Sequence, residues 1–357
     1  MLASIQSSLA ASPLIVKLCA ALGCLVASRV ALKLLGSFYT FFLRPAKDLR
    51  HFGAWGVVTG ATDGIGKAMA MELANKGLNV LLMSRTLQKL EDVRAEILAK
   101  NPTVQVEILV VDFVRIDDSN VRASIQKTLD RIQDVGVLVN NVGVAYDHPE
   151  FFDDKILKTL RNCIKNTQKD RRRVFSAITE CFWYVVFFDQ LDEHRMDSII
   201  KLNITSASVL TRLVLRGMAQ RKRGVIVNVG SASAHAVLPL LTGYSASKTY
   251  IEQFTLCLAE EYRAKNVVVQ AHVPMLVATK LSQISDTTFW VPSPDTYARA
   301  AVANLGYETI IAPYWPHALQ LWLGENAPTW LSTKVAMTTN LSLRESALKN
   351  LEAKKEQ

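Results

Sequence analysis

Five cysteines in 357 residues are too few, and odd in number, for a disulfide framework. Their sparseness points to a reducing working compartment. Sixteen glycines and eleven prolines exclude a collagen-like chain. The six histidines (His51, His148, His194, His235, His272 and His317) show no ligand-like spacing to cysteines or carboxylates, so no metal site is predicted. Only 20% of the residues are charged and half are apolar, which excludes general disorder. Internal repeats and low-complexity tracts are also missing. What remains is a chain long enough and apolar enough to bury a sizeable core.

The formal net charge is +9, and its location matters more than its size. Residues 1–50 carry Lys17, Arg29, Lys33, Arg44, Lys47 and Arg50 against Asp48, and residues 153–188 carry eight basic residues against four acidic ones. Together these two segments account for the whole excess. The body is neutral, which argues against nucleic acid as a partner.

Leu18–Ser28 is free of charge, and the apolar stretch continues to Leu43 with only Arg29 and Lys33 interrupting. A spanning helix needs about 20 mostly apolar residues. Arg29 and Lys33 share one helical face, from which long side chains reach the headgroups. The alternative is a signal peptide, but apolar chain follows the short charge-free run at once. The segment reads as an uncleaved membrane anchor. Basic residues cluster after it and predict a cytosolic body.

From Trp55 onward, short apolar runs alternate with helical patterns. Strands are predicted at Trp55–Gly60, Asn79–Arg85, Val104–Asp112, Val135–Gly143, Gly224–Ser231 and Val267–Pro274. Helices are predicted at Ile65–Asn75, from the end of the second strand through Lys100, and at Tyr244–Lys265. Strands without apolar–polar alternation are buried on both faces, and helices between them imply a parallel sheet. The fold class is therefore α/β, a doubly wound parallel sheet of Rossmann type with ligands at the carboxyl ends of its strands.

The first strand runs into Thr59-Gly60-Ala61-Thr62-Asp63-Gly64-Ile65-Gly66. Glycines at 60, 64 and 66, with Ile65 between the last two, allow a tight turn and a close backbone approach to a pyrophosphate at a helix N-terminus. The second strand ends at Ser84-Arg85, where the adenosine ribose is met. Arg85 without a neighbouring carboxylate suits a 2′-phosphate and predicts NADP(H). Asp112 is placed to hold the adenine amino group. Asn140-Asn141-Val142-Gly143 closes the fourth strand, where it is expected to steady the sheet and line the nucleotide. Tyr244 and Lys248 are four residues apart on one helical face. An ammonium there favours the phenolate, and Tyr244 is positioned to hand a proton to a carbonyl oxygen. Ser231, at the end of the fifth strand, polarises that carbonyl; Ser233 competes for the role, and Ser245 and Ser247 read as helix packing.

This order of motifs resembles the short-chain dehydrogenase/reductase superfamily, over roughly residues 53–315. The resemblance implies that Tyr244 is the acid/base, that Lys248 lowers its pKa and holds the nicotinamide ribose, and that Ser231 orients the substrate. It implies further that Asn203 anchors a proton-relay water, and that Val277 and Thr279 contact the nicotinamide carboxamide. Asn-Asn-Val-Gly in place of Asn-Asn-Ala-Gly, the apolar anchor and Pro292-Ser293-Pro294 are similar to the microsomal very-long-chain 3-oxoacyl-CoA reductases, which overlap with the 17β-hydroxysteroid dehydrogenases. That branch implies NADPH-dependent reduction of a long-chain acyl-CoA in fatty-acid elongation, beside other elongation enzymes. A 17-ketosteroid is the rival substrate, and a non-catalytic NADP-binding scaffold the rival class. The terminal Lys354-Lys355-Glu356-Gln357 resembles a dilysine retrieval signal, which implies the endoplasmic reticulum membrane with the catalytic domain facing the cytosol.

Residues 153–188 depart from the family pattern. Phe151-Phe152-Asp153 is repeated at Phe187-Phe188-Asp189, and removing 36 residues between the copies restores a family-like Pro-Glu-Phe-Phe-Asp-Gln-Leu-Asp-Glu. The segment reads either as a membrane-touching insertion or as translated intron sequence. The expected organisation is an anchor and linker at 1–50, a catalytic domain at 51–315 and a lid or membrane-associated segment at 316–357. Core packing is an alternative for Ala318–Leu323 and Trp330–Met337. The oligomeric state stays open, a homodimer included.

Overall fold

The computed structural model describes residues 13–145, 193–282 and 284–355. The atypical segment 153–188 lies outside the described residues. In chain order the helices are α1 (Pro13–Phe38), α2 (Gly64–Asn75), α3 (Leu87–Lys100), α4 (Ser119–Ile132), α5 (Glu193–Ile199), α6 (Ser206–Arg221), α7 (Thr242–Arg263), α8 (Pro294–Ala303), α9 (Trp315–Asn326) and α10 (Thr329–Lys355).

Two compact units divide between Ala46 and Lys47. In the first, α1 runs into a π-turn at Tyr39–Leu43. Residues 16–38 are exposed around its whole circumference, and Val16–Leu43 is long and apolar enough to cross a bilayer. His194–Arg221 passes the same test but is half buried, as a helix packed on a sheet is. The second unit begins four residues before the expected boundary because Leu49 is part of its core. Asp48 caps the single turn Leu49–His51 by accepting from the Arg50 N–H.

The second unit is built on seven strands: β1 (Trp55–Thr59), β2 (Asn79–Ser84), β3 (Val106–Val110), β4 (Val135–Asn140), β5 (Gly224–Val229), β6 (Val267–His272) and β7 (Ile310–Ile311). Their order is β3-β2-β1-β4-β5-β6-β7, with every pairing parallel. The period of two along each strand divides its side chains between two cores. Val58, Leu82, Val137, Val139, Val225 and Val227 pack with α2, α3 and α8. Val57, Leu81, Leu138 and Ile226 pack with α4 and α6 on the other face. The doubly wound fold read from the sequence is the fold observed.

Chain order reverses between β1 and β4, and this switch point opens a crevice at the carboxyl ends of the strands. The strands stop short of their predicted limits there. β4 ends at Asn140 rather than Gly143, and β5 at Val229 rather than Ser231, so the polar residues that follow leave the sheet and line the crevice. Caps fix the helices that start beside it: Asp63 accepts from the Gly64 N–H at the head of α2, and Ser293 caps α8 with Pro294 in its first turn.

Candidate active site

The glycine turn leads from β1 into α2. Gly60 and Gly64 have φ of +62° and +53°, a region that side chains disfavour. A Cβ at Gly66 would lie 2.3 Å from both the Gly60 carbonyl oxygen and Asn141 Nδ2, so only glycine lets α2 start here. Asn141 Nδ2 donates to Thr59 O at 3.0 Å. Thr59 Oγ1 accepts the N–H groups of Asn141 and Val142, both at 2.9 Å. These bonds clamp the end of β4 to the turn, and Ile65 packs against the core beneath it. The N-terminus of α2 faces the crevice with its positive dipole end.

The other predicted nucleotide residues lie along the same edge of the sheet. Ser84 Oγ is 3.1 Å from Thr62 Oγ1, and Arg85 follows it exposed to solvent. Asp112 is exposed after β3, with one carboxylate oxygen accepting from the Val114 N–H. Val277 is buried, and Thr279 stands against Gly64, 3.2 Å from where its Cβ would be. Ser282 Oγ donates to Val277 O at 2.6 Å, and Lys280 pairs with Asp63 at 2.5 Å. The loop after β6 is thereby tied to the glycine turn.

On the far side of the switch point four predicted residues come together. Asn203 sits in a π-turn, Ile200–Thr205, between α5 and α6 and is 2% exposed. Such single-turn bulges often mark functional sites, because the extra residue turns a side chain out of helical register. Its Oδ1 accepts from the Val144 N–H at 2.8 Å, and its Nδ2 donates to Ser247 Oγ at 2.9 Å. Ser247, expected to serve only helix packing, instead bridges Asn203 to the Tyr244 carbonyl at 2.7 Å. Gly143 lies against Asn203 and Lys248. Lys248 Nζ donates to Val229 O at 2.8 Å and is 5.7 Å from the centre of the Tyr244 ring. Ser231 is the side chain that acts on the Tyr244 hydroxyl. Ser233, the competitor, is buried in the turn behind and donates its N–H to Ser231 Oγ at 3.1 Å.

Burial pushes the Tyr244 phenol above its usual pKa, and the Ser231 hydrogen bond pulls the other way. Burial also draws Lys248 down to about 8, against the field of Glu252. Asn140, expected to steady the sheet, donates to Thr211 Oγ1 (2.9 Å) and Asn228 Oδ1 (2.8 Å), and Asn228 passes the ladder to Thr255.

The family model described as short chain dehydrogenase matches residues 55–168 and 184–288. The chain belongs to the short-chain dehydrogenase family. The two matched stretches leave 169–183 unmatched, inside the segment that departs from the family pattern. A very-long-chain 3-oxoacyl-CoA reductase of Anas platyrhynchos is 38% identical over 92% of this chain and 94% of its own length. An inactive hydroxysteroid dehydrogenase-like protein 1 of Homo sapiens is 36% identical over 84% of this chain and 80% of its own. Among solved structures, a short-chain dehydrogenase from Sphingobium yanoikuyae in complex with NADPH superposes with TM-score 0.56 at 22% identity, covering 77% of this chain and 96% of that one.

Three features of the site are announced by no motif. Ser247, the Lys280–Asp63 tie and His317, whose Nδ1 accepts the Met275 N–H at 3.2 Å, all pair residues far apart in the chain. Gly143 beside Asn203 was the one such pairing with a short signal, the glycine closing Asn-Asn-Val-Gly. Among the described residues no group of three or more His, Cys, Asp or Glu is placed to hold a metal ion.

Proposed function

We propose that this short-chain dehydrogenase reduces very-long-chain 3-oxoacyl-CoA thioesters to 3-hydroxyacyl-CoA with NADPH, as a step of fatty-acid elongation. The observation that carries the reading is the 38% identity to a reductase of that name over 94% of its length. With it stands the assembly of Ser231, Tyr244, Lys248 and Asn203 at one point of the crevice.

The glycine turn fits a dinucleotide, since a Cβ at Gly66 would fill the space between Gly60 and Asn141 and push the turn outward. In this reading the α2 N-terminus receives the pyrophosphate, Ser84 and Arg85 the phosphorylated ribose, and Asp112 the adenine. Val277 and Thr279 border the nicotinamide, and Lys248 holds its ribose. Bound NADPH supplies the hydride for the carbonyl carbon. Ser231 donates a hydrogen bond to the carbonyl oxygen, where negative charge develops. Tyr244 delivers the proton to the same oxygen. Asn203 holds the relay through which Tyr244 is reprotonated.

Residues 1–50 serve as anchor and linker, 51–315 as the catalytic domain and 316–357 as a lid or membrane-associated segment. Arg44, Lys47 and Arg50 follow the apolar helix and favour a body on the cytosolic side of the endoplasmic reticulum membrane. Exposed Trp322, Leu323 and Trp330 suit that C-terminal segment better than core packing does.

NADPH oxidation by the detergent-solubilised protein, with a long-chain 3-oxoacyl-CoA beside a 17-ketosteroid, tests the reading. Turnover of the thioester is expected; preference for the steroid overturns the substrate, and silence on both overturns the enzyme. The relative called inactive gives the scaffold reading its one support. Against it stand the complete serine, tyrosine and lysine set and their shared geometry.

A further inference from the structure

A chain of charged groups lies behind the reacting residues. On α7, Tyr244, Lys248 and Glu252 are four residues apart and occupy one stripe. Glu252 is 8% exposed, and its carboxylate lies against Gly230, just before Ser231. Its Oε2 is 2.9 Å from His235 Nε2. The other ring nitrogen, His235 Nδ1, is 2.8 Å from Glu325 Oε1 on α9. The charged group that acts on Lys248 is Glu252. Those that act on His235 are Glu252 from α7 and Glu325 from α9.

A carboxylate in a core is costly, and an apolar residue of the same volume is often at least as stable. Its placement one turn beyond Lys248 gives it a use. We propose that Glu252 is a positioning residue that keeps the Lys248 ammonium charged inside the core, and that His235, held by Glu325, aims the Glu252 carboxylate. The proposal rests on the reading of Lys248 as the residue that holds the nicotinamide ribose.

Burial alone favours the neutral amine, and the Glu252 field opposes it. Without that field, Lys248 sheds its proton at lower pH and its hold on the dinucleotide fails earlier. The test follows NADPH affinity and kcat/KM against pH in the full-length protein. Glu252→Gln is expected to move the alkaline limb of both profiles down by about 1 pH unit. At pH 8.5 its Kd for NADPH should be roughly 5–10-fold weaker than wild type, with the two equal at pH 6. Glu252→Met is a second variant that removes the charge should the amide not fold. Glu252→Asp keeps the charge and should bring the limb back toward wild type. His235→Asn removes the group that aims the Glu252 carboxylate, so its limb should fall between those of wild type and Glu252→Gln.

A limb that stays in place on removal of the Glu252 charge overturns the proposal. So does a His235→Asn limb that does not move. A protein that binds NADPH with the expected pH dependence but reduces no carbonyl would sink the functional reading alone. The two failures are thus distinguishable.

Discussion

Lys248 Nζ donates to the carbonyl of Val229 at 2.8 Å, which fixes the ammonium two residues before Ser231 on the neighbouring strand end. The bond ties α7 to the end of β5. It also leaves a charge in the core at 6% exposure.

That charge has a stability consequence. Lys248 is drawn from its usual 10.5 to about 8 in the folded chain, so between those values the unfolded chain holds the extra proton. Its contribution to stability is complete above about 10.5 and is lost as pH falls through 8. Lys248→Met removes the buried charge at the expense of one hydrogen bond. It should be on the order of 2 kcal/mol more stable than wild type at pH 7, with the advantage shrinking toward pH 10. Urea denaturation across that range reads the difference, and an advantage that grows with pH would contradict the assignment. Turnover should be lost at every pH.

Tyr244→Phe removes the hydroxyl on which Ser231 acts and leaves the ring in place. Loss of a positioned acid costs about 10²–10⁴-fold in rate. The variant should lose turnover on that scale while binding NADPH within about twofold of wild type, since the phenol is not its main anchor. Stopped-flow absorbance and fluorescence titration separate the two effects. A rate within tenfold of wild type would remove Tyr244 from its role.

The turn proposed to receive the dinucleotide is tested by size. A methyl group at Gly66 meets Gly60 O and Asn141 Nδ2 at 2.3 Å, both held by backbone or by a hydrogen bond. Gly66→Ala should therefore cost about 3 kcal/mol or more, or abolish NADPH binding outright. Gly36→Ala in α1 is the control, because nothing lies within 4 Å of its added methyl. Thermal melting with and without NADPH should leave the control unchanged.

The sequence made β1, β2, β4, β5 and β6 legible because both faces of each strand are buried, which leaves unbroken apolar runs. It did not reveal β7, whose two residues are too short to carry a pattern. Tyr244, Lys248 and Ser231 were legible because short spacings place them at a strand end and on one helix face. Asn203 was legible only by resemblance, for the π-turn that carries it breaks the helical period from which a face is read. Ser247 looked like packing because its partner Asn203 lies 44 residues away. The charge chain Glu252–His235–Glu325 joins three separate elements, and no window of sequence contains it.

In the proposed reading, cofactor choice turns on Arg85. The residue is exposed at the end of β2, next to Ser84, which is itself held by Thr62 at 3.1 Å. A guanidinium there meets a 2′-phosphate with two parallel hydrogen bonds, while a carboxylate would meet the two ribose hydroxyls of NAD. Arg85→Asp should therefore raise the Kd for NADPH by about 10–100-fold through loss of attraction and added repulsion. The Kd for NADH should fall or stay level, so that the preference narrows or inverts. Arg85→Ala removes the attraction without adding the repulsion and should fall between. Titration of both nucleotides by fluorescence gives the four constants. Equal weakening of NADPH and NADH would mean that Arg85 supports the fold of the strand end, and that the 2′-phosphate is read elsewhere.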